Sequence, residues 1–360
     1  MIDLSYFKGK KVLVTGHTGF KGSWLSAILL QSGAELAGIS LAPQGEPALF
    51  EELGLKKEIN SYIGDITDLE FLSKVFKGVH PEIVLHLAAQ PIVRESYREP
   101  VWTYQTNVMG TVNVLECIRK SDSVHSFLNV TTDKVYKNKE WEWGYRENEE
   151  LCGYDPYSNS KSCSELVTYS YANSFFQDRD IAISTARAGN VIGGGDFSVD
   201  RIIPDCYRAA TKGENIVVRN PNSIRPYQHV LEPLMAYLTI VARQSENKEL
   251  AGNYNIGPDE VDCIQTKELV TLFCESWEKH NGELPISENK SVAGPHEANF
   301  LKLDCAKFKS KFNWKPVWHI DKAVDKTTEW YSAFNRGEDI KAVMKAQLKE
   351  FVEDSKNEWE

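Results

Sequence analysis

The strongest constraint on the fold comes from residues 11–31. Lys11-Val12-Leu13-Val14-Thr15 is a short apolar run that ends at Gly16, and residues 23–31 carry apolar side chains at helical spacing until Gly33 stops them. Between the two stand Gly16, Gly19 and Gly22, separated each time by two residues. A strand, a glycine turn and a helix in that order present bare backbone N–H groups at a helix N-terminus, where the chain can come close to a pyrophosphate. Gly16, Thr18, Gly19, Phe20 and Lys21 are therefore candidate dinucleotide contacts. The acidic residue that ordinarily closes the second strand and holds an adenosine ribose is missing. Ser40-Leu41-Ala42 stands there, which leaves NAD against NADP open.

Further strand-like runs at 36–40, 62–65, 83–88 and 127–132 follow, the last three separated by helical stretches such as 69–76 and 104–119. Continuously apolar strands alternating with helices predict an α/β, doubly wound parallel sheet covered on both faces, with function at the carboxyl ends of its strands. Beyond about residue 190 the alternation loosens into short strands, Pro-rich turns and helices near 231–243, 266–279 and 320–335. The expected division is a dinucleotide-binding domain over 1–190 that carries the catalytic residues, and a smaller mixed α/β substrate lobe over 191–360. With no internal repeat or long linker, the two should pack intimately.

A net charge of −10 argues against a nucleic-acid partner. No run approaches the length of a membrane span, and no signal-peptide core stands near the start, so a cytoplasmic enzyme with no membrane association is expected. Seven cysteines without a Cys-x-x-Cys pair read as reduced packing residues, not as a metal site.

Three later segments fall at the same rim as the glycine turn. Asp65, closing the third strand, is placed either to accept from an adenine amino group, with Ile66 against the ring, or to cap the next helix. Leu87-Ala88-Ala89-Gln90 closes the fourth strand with residues small enough for a dinucleotide to lie on bare backbone. Thr131-Thr132-Asp133-Lys134 closes the fifth. Tyr157 and Lys161 then stand one helical turn apart and can face one side. A tyrosine that takes a proton from a sugar hydroxyl must move its pKa from about 10 toward 7, roughly 4 kcal/mol of phenolate stabilisation, and a neighbouring ammonium can contribute to that.

In these strings, Thr15-Gly16-His17-Thr18-Gly19-Phe20-Lys21-Gly22-Ser23-Trp24-Leu25 and Thr131-Thr132-Asp133-Lys134-Val135-Tyr136 above all, the chain resembles the extended short-chain dehydrogenase/reductase family, also described as NAD-dependent epimerases and dehydratases. The resemblance runs from Gly16 through Tyr157 and Lys161 to Phe312-Asn313-Trp314-Lys315-Pro316. It implies NAD as cofactor and CDP-glucose as substrate. It also implies an internal redox cycle: oxidation at C4, loss of water across C5 and C6, and return of the hydride to C6. Tyr157 is then the base at O4, Thr132 its hydrogen-bonding partner, Lys161 the group that tunes the phenol, and Asp133 the acid at the departing hydroxyl. Lys134, where related dehydratases carry Glu, is either the base at C5 or an electrostatic stabiliser of the enolate. An Asp after the catalytic hydroxyl speaks against the alternatives, a nucleotide-sugar 4-epimerase or reductase; a dehydratase for another nucleotide-glucose is a further alternative.

The same resemblance makes Asn190, Arg201, Arg225 and Asn255 candidate substrate contacts, with Arg225 ranked above Arg201 and both far above Arg219. It assigns Asn107 to ordering the cofactor loops. A further family Arg is absent from Pro295-His296-Glu297-Ala298-Asn299. Apolar faces expected on helices near 104–119 and 160–171 fit a homodimer or homotetramer.

Overall fold

Alternation along single strands shows how the sheet is buried. Val12 and Val14 point into one apolar cluster and Leu13 into another, and the pattern repeats with Leu85 against Val84 and Leu128 against Phe127, all fully buried. Both faces are therefore covered, as a parallel sheet requires. In the computed structural model, which describes residues 3–290 and 300–359, the strands are β1 (Lys11–Thr15), β2 (Glu35–Ser40), β3 (Asn60–Ile63), β4 (Ile83–His86), β5 (Ser126–Val130) and β6 (Ala182–Ala188). They continue as β7 (Asn190–Ile192), β8 (Ile216–Val218), β9 (Ile224–His229), β10 (Asn253–Ile256), β11 (Cys263–Gln265) and β12 (Ser287–Asn289). The main sheet has the order β3-β2-β1-β4-β5-β6-β10 with every pair parallel. The strand order reverses between β1 and β4, the crevice where ligands of doubly wound sheets bind.

The far half of the chain is woven into this sheet. β10 pairs with β6 at its edge. The helix Leu231–Glu246 is buried almost all round and locks beneath β5 and β6, with Gln244 Nε2 donating to Phe127 O at 3.1 Å and Ser126 Oγ donating to Val241 O at 3.0 Å. Outside the main sheet stand a three-stranded sheet β11-β9-β7 and a two-stranded sheet β12-β8. The expected helices appear as Leu231–Glu246, Thr266–Asn281 and Ile320–Asn335, and a further helix covers Ile340–Trp359. All seven cysteines are free. Among the described residues no helix is long and apolar enough to cross a membrane, and no His, Cys, Asp and Glu cluster could hold a metal ion. Residues 295–299, where a family Arg is missing from the sequence, lie outside the described residues.

The helix Pro156–Phe175 departs from the sequence expectation. Pro156 opens it, and Asp155 caps it by accepting from Ser158 N at 3.0 Å and Ser158 Oγ at 2.5 Å. Its buried face is largely hydroxyl-bearing, with Tyr157, Lys161 and Glu165 set among serines and a threonine. Asn107 Nδ2 donates to Ser160 Oγ at 2.9 Å, Ser162 Oγ to Val135 O at 2.7 Å, and Asn129 Nδ2 to Ser164 Oγ and Thr168 Oγ1 at 2.8 and 2.9 Å. Small polar side chains let the helix sit close to β5 with each donor matched. Leu166 and Tyr169 here, and Val101, Tyr104 and Met109 on the neighbouring helical run, are exposed, whereas Val167 and Tyr171 pack on the core. That run is itself interrupted by a π turn over Gln105–Met109.

Candidate active site

The glycine turn is built for close approach. Gly16 has φ 78°, and a Cβ there would stand 2.8 Å from Ala88 N; one on Gly22 would stand 2.0 Å from Gly16 O. Gly19 caps the helix Phe20–Gln31 with no side-chain bond, so the first N–H groups of that helix are not covered by a capping side chain. A pyrophosphate fits this cradle. Thr18 Oγ1 shares a 2.7 Å hydrogen bond with Ser40 Oγ and donates to Leu41 O at 3.0 Å, so hydroxyls occupy the strand end in place of an acid. Asp68 caps the next helix by accepting from Phe71 N at 2.9 Å. Asp65 stands two residues past β3 and, among the described residues, accepts only from Thr67 N, at 2.8 Å, so the capping alternative belongs to Asp68.

Beside the turn opens a cleft of about 1090 Å³. Lys21, Leu87, Ala89, Thr132, Asp133, Lys134, Tyr157, Lys161, Asn190, Arg201 and Arg225, all singled out from the sequence, line it together. The ends of β4 and β5, the start of the helices Phe20–Gln31 and Pro156–Phe175, the cap of the helix Ile202–Lys212 and the strands β7 and β9 bring them there. Thr132 Oγ1 donates to Asp133 Oδ1 at 2.9 Å and lies close enough to the Tyr157 phenol to favour its phenolate. Lys134 Nζ meets the same Asp133 oxygen at 3.3 Å. Asp133 is fully buried, and its other oxygen, Oδ2, has no hydrogen-bond partner among the described residues. Lys161 Nζ donates to Val130 O at 3.1 Å.

Burial opposes charge on the central pair. It pushes the Tyr157 phenol up to about 12, against the Thr132 hydroxyl, which lowers it. It brings the Lys161 ammonium down to about 7, helped by the like charge of Lys21 and resisted by Glu165. Lys21 falls to about 8, chiefly through burial and then through Arg201. The phenolate is therefore costly until further positive charge faces it.

The sequence profile of the GDP-mannose 4,6 dehydratase family matches residues 13–327. The chain belongs to the GDP-mannose 4,6 dehydratase family. A CDP-glucose 4,6-dehydratase of Salmonella typhimurium is 44% identical to it over 358 residues, 98% of this chain and 99% of the relative. A probable dTDP-glucose 4,6-dehydratase of Sinorhizobium fredii is 28% identical, covering 89% and 92%. The fold is shared with a dTDP-glucose 4,6-dehydratase of Bacillus anthracis solved in complex with NAD, at TM-score 0.75 and 21% identity over 92% of this chain and 99% of the other. It is shared equally with a UDP-glucose 4-epimerase of Thermotoga maritima, at TM-score 0.76 and 23% identity over 91% and 99%.

For a member of the GDP-mannose 4,6 dehydratase family, several predicted contacts lie elsewhere. Asn255 is completely buried away from the cleft. Its Oδ1 accepts from Tyr136 OH at 2.6 Å, and its Nδ2 donates to Tyr145 O and Asp304 O at 2.7 and 3.0 Å, so no atom of its amide is left for a nucleotide. Asn107 and Gln90 are buried struts: Gln90 N donates to Asn107 Oδ1 at 2.8 Å, tying the end of β4 to the helix Pro156–Phe175. Ile66 packs into the core against Gly110, where an added Cβ would stand 2.4 Å from it. Phe20 packs on the same core as Trp24.

Sequence reasoning missed the support beneath the site. Glu165, one turn beyond Lys161, accepts from Thr131 Oγ1 at 2.5 Å and Thr185 Oγ1 at 2.7 Å, and from Arg187 Nε and Nη2 at 3.0 and 2.9 Å. Both charges are about 1% exposed. Removing one partner of such a pair costs about 3–5 kcal/mol. The only available signal was an acid and a base inside buried patterns. Also missed were Asp196, which accepts from Arg201 Nη1 at 3.2 Å, and Asp200.

Proposed function

We propose that the protein is a CDP-glucose 4,6-dehydratase, a hydro-lyase that converts CDP-D-glucose to CDP-4-dehydro-6-deoxy-D-glucose and water. The observation that carries the reading is the meeting of Tyr157, Lys161 and the Thr132-Asp133-Lys134 strand end on one cleft wall beside the glycine turn. The 44% identity to a CDP-glucose 4,6-dehydratase supports the choice of nucleotide. Gly16, Gly19 and the backbone at Ala88 would hold NAD, with Asp65 toward its adenine. The chemistry NAD supplies when bound is that of a reversible hydride acceptor, with a positive ring facing the phenol.

The chain's own residues handle the protons. Tyr157 takes the proton from the glucosyl O4, and Thr132 orients that oxygen. Lys161 favours the phenolate by its charge. Asp133 must act as an acid and Lys134 as a base, yet written as an ion pair each holds the wrong number of protons. Shifting one proton across their 3.3 Å contact gives a carboxylic acid and a neutral amine. In that uncharged form both groups are competent at once. Asp133 then gives that proton to the departing C6 hydroxyl, which leaves as water, while Lys134 takes the C5 proton. Arg225, buried on β9, and Arg201 would hold the diphosphate, with Asn190 beside them.

Incubation with CDP-glucose and no added reductant should give a base-sensitive 4-keto sugar, and deuterium placed at C4 should appear in the product's methyl group. No keto product from CDP-, dTDP-, GDP- or UDP-glucose would reject the reading.

The functional division is residues 1–190 for the cofactor and 191–360 for the nucleotide sugar, with Leu231–Glu246 and β10 crossing back. The enzyme is cytoplasmic. The exposed Val101, Tyr104, Met109, Leu166 and Tyr169 form the contact of a homodimer built on two helices from each copy. Leu166→Asp should convert the dimer to monomer in sedimentation velocity. A wild-type monomer at micromolar concentration would exclude the contact.

A further inference from the structure

We propose that Asp200 reads the base of the nucleotide and makes the site selective for cytosine; this rests on the nucleotide-sugar reading above. Asp200 lies between β7 and the helix Ile202–Lys212. Its φ of 61° is a left-handed conformation that a non-glycine residue keeps where its surroundings hold it. Two guanidiniums supply that hold. Arg94, which follows β4 in the dinucleotide half, stands 3.5 Å from Asp200 Oδ1, and Arg219, just after β8 in the smaller lobe, donates to the same oxygen at 2.7 Å. The other arm of Arg219 donates to Asp205 Oδ2 at 3.2 Å. Both arms of Arg219 are thus engaged, while Asp200 Oδ2 has no hydrogen-bond partner among the described residues and the side chain lines the cleft.

The Arg219 hydrogen bond, with the charges of Arg219 and Arg94, holds the Asp200 carboxyl below the usual range. It therefore stays ionised, and an ionised carboxylate only accepts. Ile202, Pro204 and Val217 line the same cleft and offer apolar surface to a flat ring. A pyrimidine there is sorted by its position 4: cytosine presents an amino donor, whereas uracil and thymine present a carbonyl acceptor. A fixed carboxylate bonds the first and repels the second, the kind of mismatch that discriminates strongly because polar groups are left unpaired.

The test compares kcat/KM for CDP-glucose and UDP-glucose, and calorimetric Kd for CDP and UDP, in the wild type, Asp200→Asn, Asp200→Glu and Arg94→Ala. The CDP-to-UDP ratio should fall at least about ten-fold in Asp200→Asn, whose amide can turn an N–H toward a carbonyl. It should hold within about three-fold in Asp200→Glu and Arg94→Ala, which keep the carboxylate. An unchanged ratio in Asp200→Asn overturns the proposal even if every rate falls, because an ion-pair strap across the cleft would affect both nucleotides alike. If the wild type turned over no nucleotide-glucose, the dehydratase reading would fail, and the calorimetric ratio would still judge Asp200 independently.

Discussion

Replacing Tyr157 by Phe is expected to lower turnover of CDP-glucose by about 10³-fold, within the range for loss of a positioned general base, while NAD still binds. The phenol is pushed up to about 12 and Lys161 down to about 7, so phenolate with ammonium is the minority arrangement of a singly deprotonated pair. The pair loses its first proton near pH 7. Below that pH kcat/KM should fall as the pair becomes fully protonated; above it the rate should level off, because the remaining proton is only redistributed. In Tyr157→Phe the acid limb due to this pair should vanish along with the rate. A variant that kept wild-type turnover and the same acid limb would remove Tyr157 from the reaction.

The second large effect concerns Asp133 and Lys134, which the proton shift makes a single device. Asp133→Asn and Lys134→Met should each slow keto-sugar formation by about 10²–10⁴-fold, and the double variant should be about as slow as the slower single one, since groups that act as a unit are not additive. Uptake of solvent deuterium at C5 discriminates further. Lys134→Met loses the base, whereas Asp133→Asn loses the group that accepts the lysine's proton, so exchange should collapse in both. Wild-type exchange in Asp133→Asn would separate the two residues, and multiplicative losses in the double variant would do the same.

The sequence shows the parts of this molecule that rest on periodicity and on one crowded turn. Apolar runs of strand length mark the sheet, and Gly16 and Gly22 mark positions where an added Cβ would meet backbone. The wall of the cleft is legible to the extent that its residues close a strand, as Thr132, Asp133 and Lys134 do. What escapes is burial by polar groups. The inner face of the helix Pro156–Phe175 is mostly serine and threonine around Lys161 and Glu165, which hydropathy cannot tell from a solvated face. Asn255 sits in a familiar segment, but its amide is consumed by partners distant in sequence, Tyr136, Tyr145 and Asp304. Asp200 and Arg94 meet across more than a hundred residues, and no local pattern announces a contact of that kind.

One feature of the topology bears on how enzymes of this build can be recombined. The strand Asn253–Ile256 closes the sheet edge beside β6 although most of its sequence neighbours belong to the other lobe. A chimaera joined once near residue 190 would give one parent's sheet the other parent's last strand and the helix Leu231–Glu246 beneath it, exposing mismatched side chains in the core. Transplanting sugar-nucleotide preference between relatives thus calls for junctions on both sides of that returning segment, so that each sheet keeps its own edge.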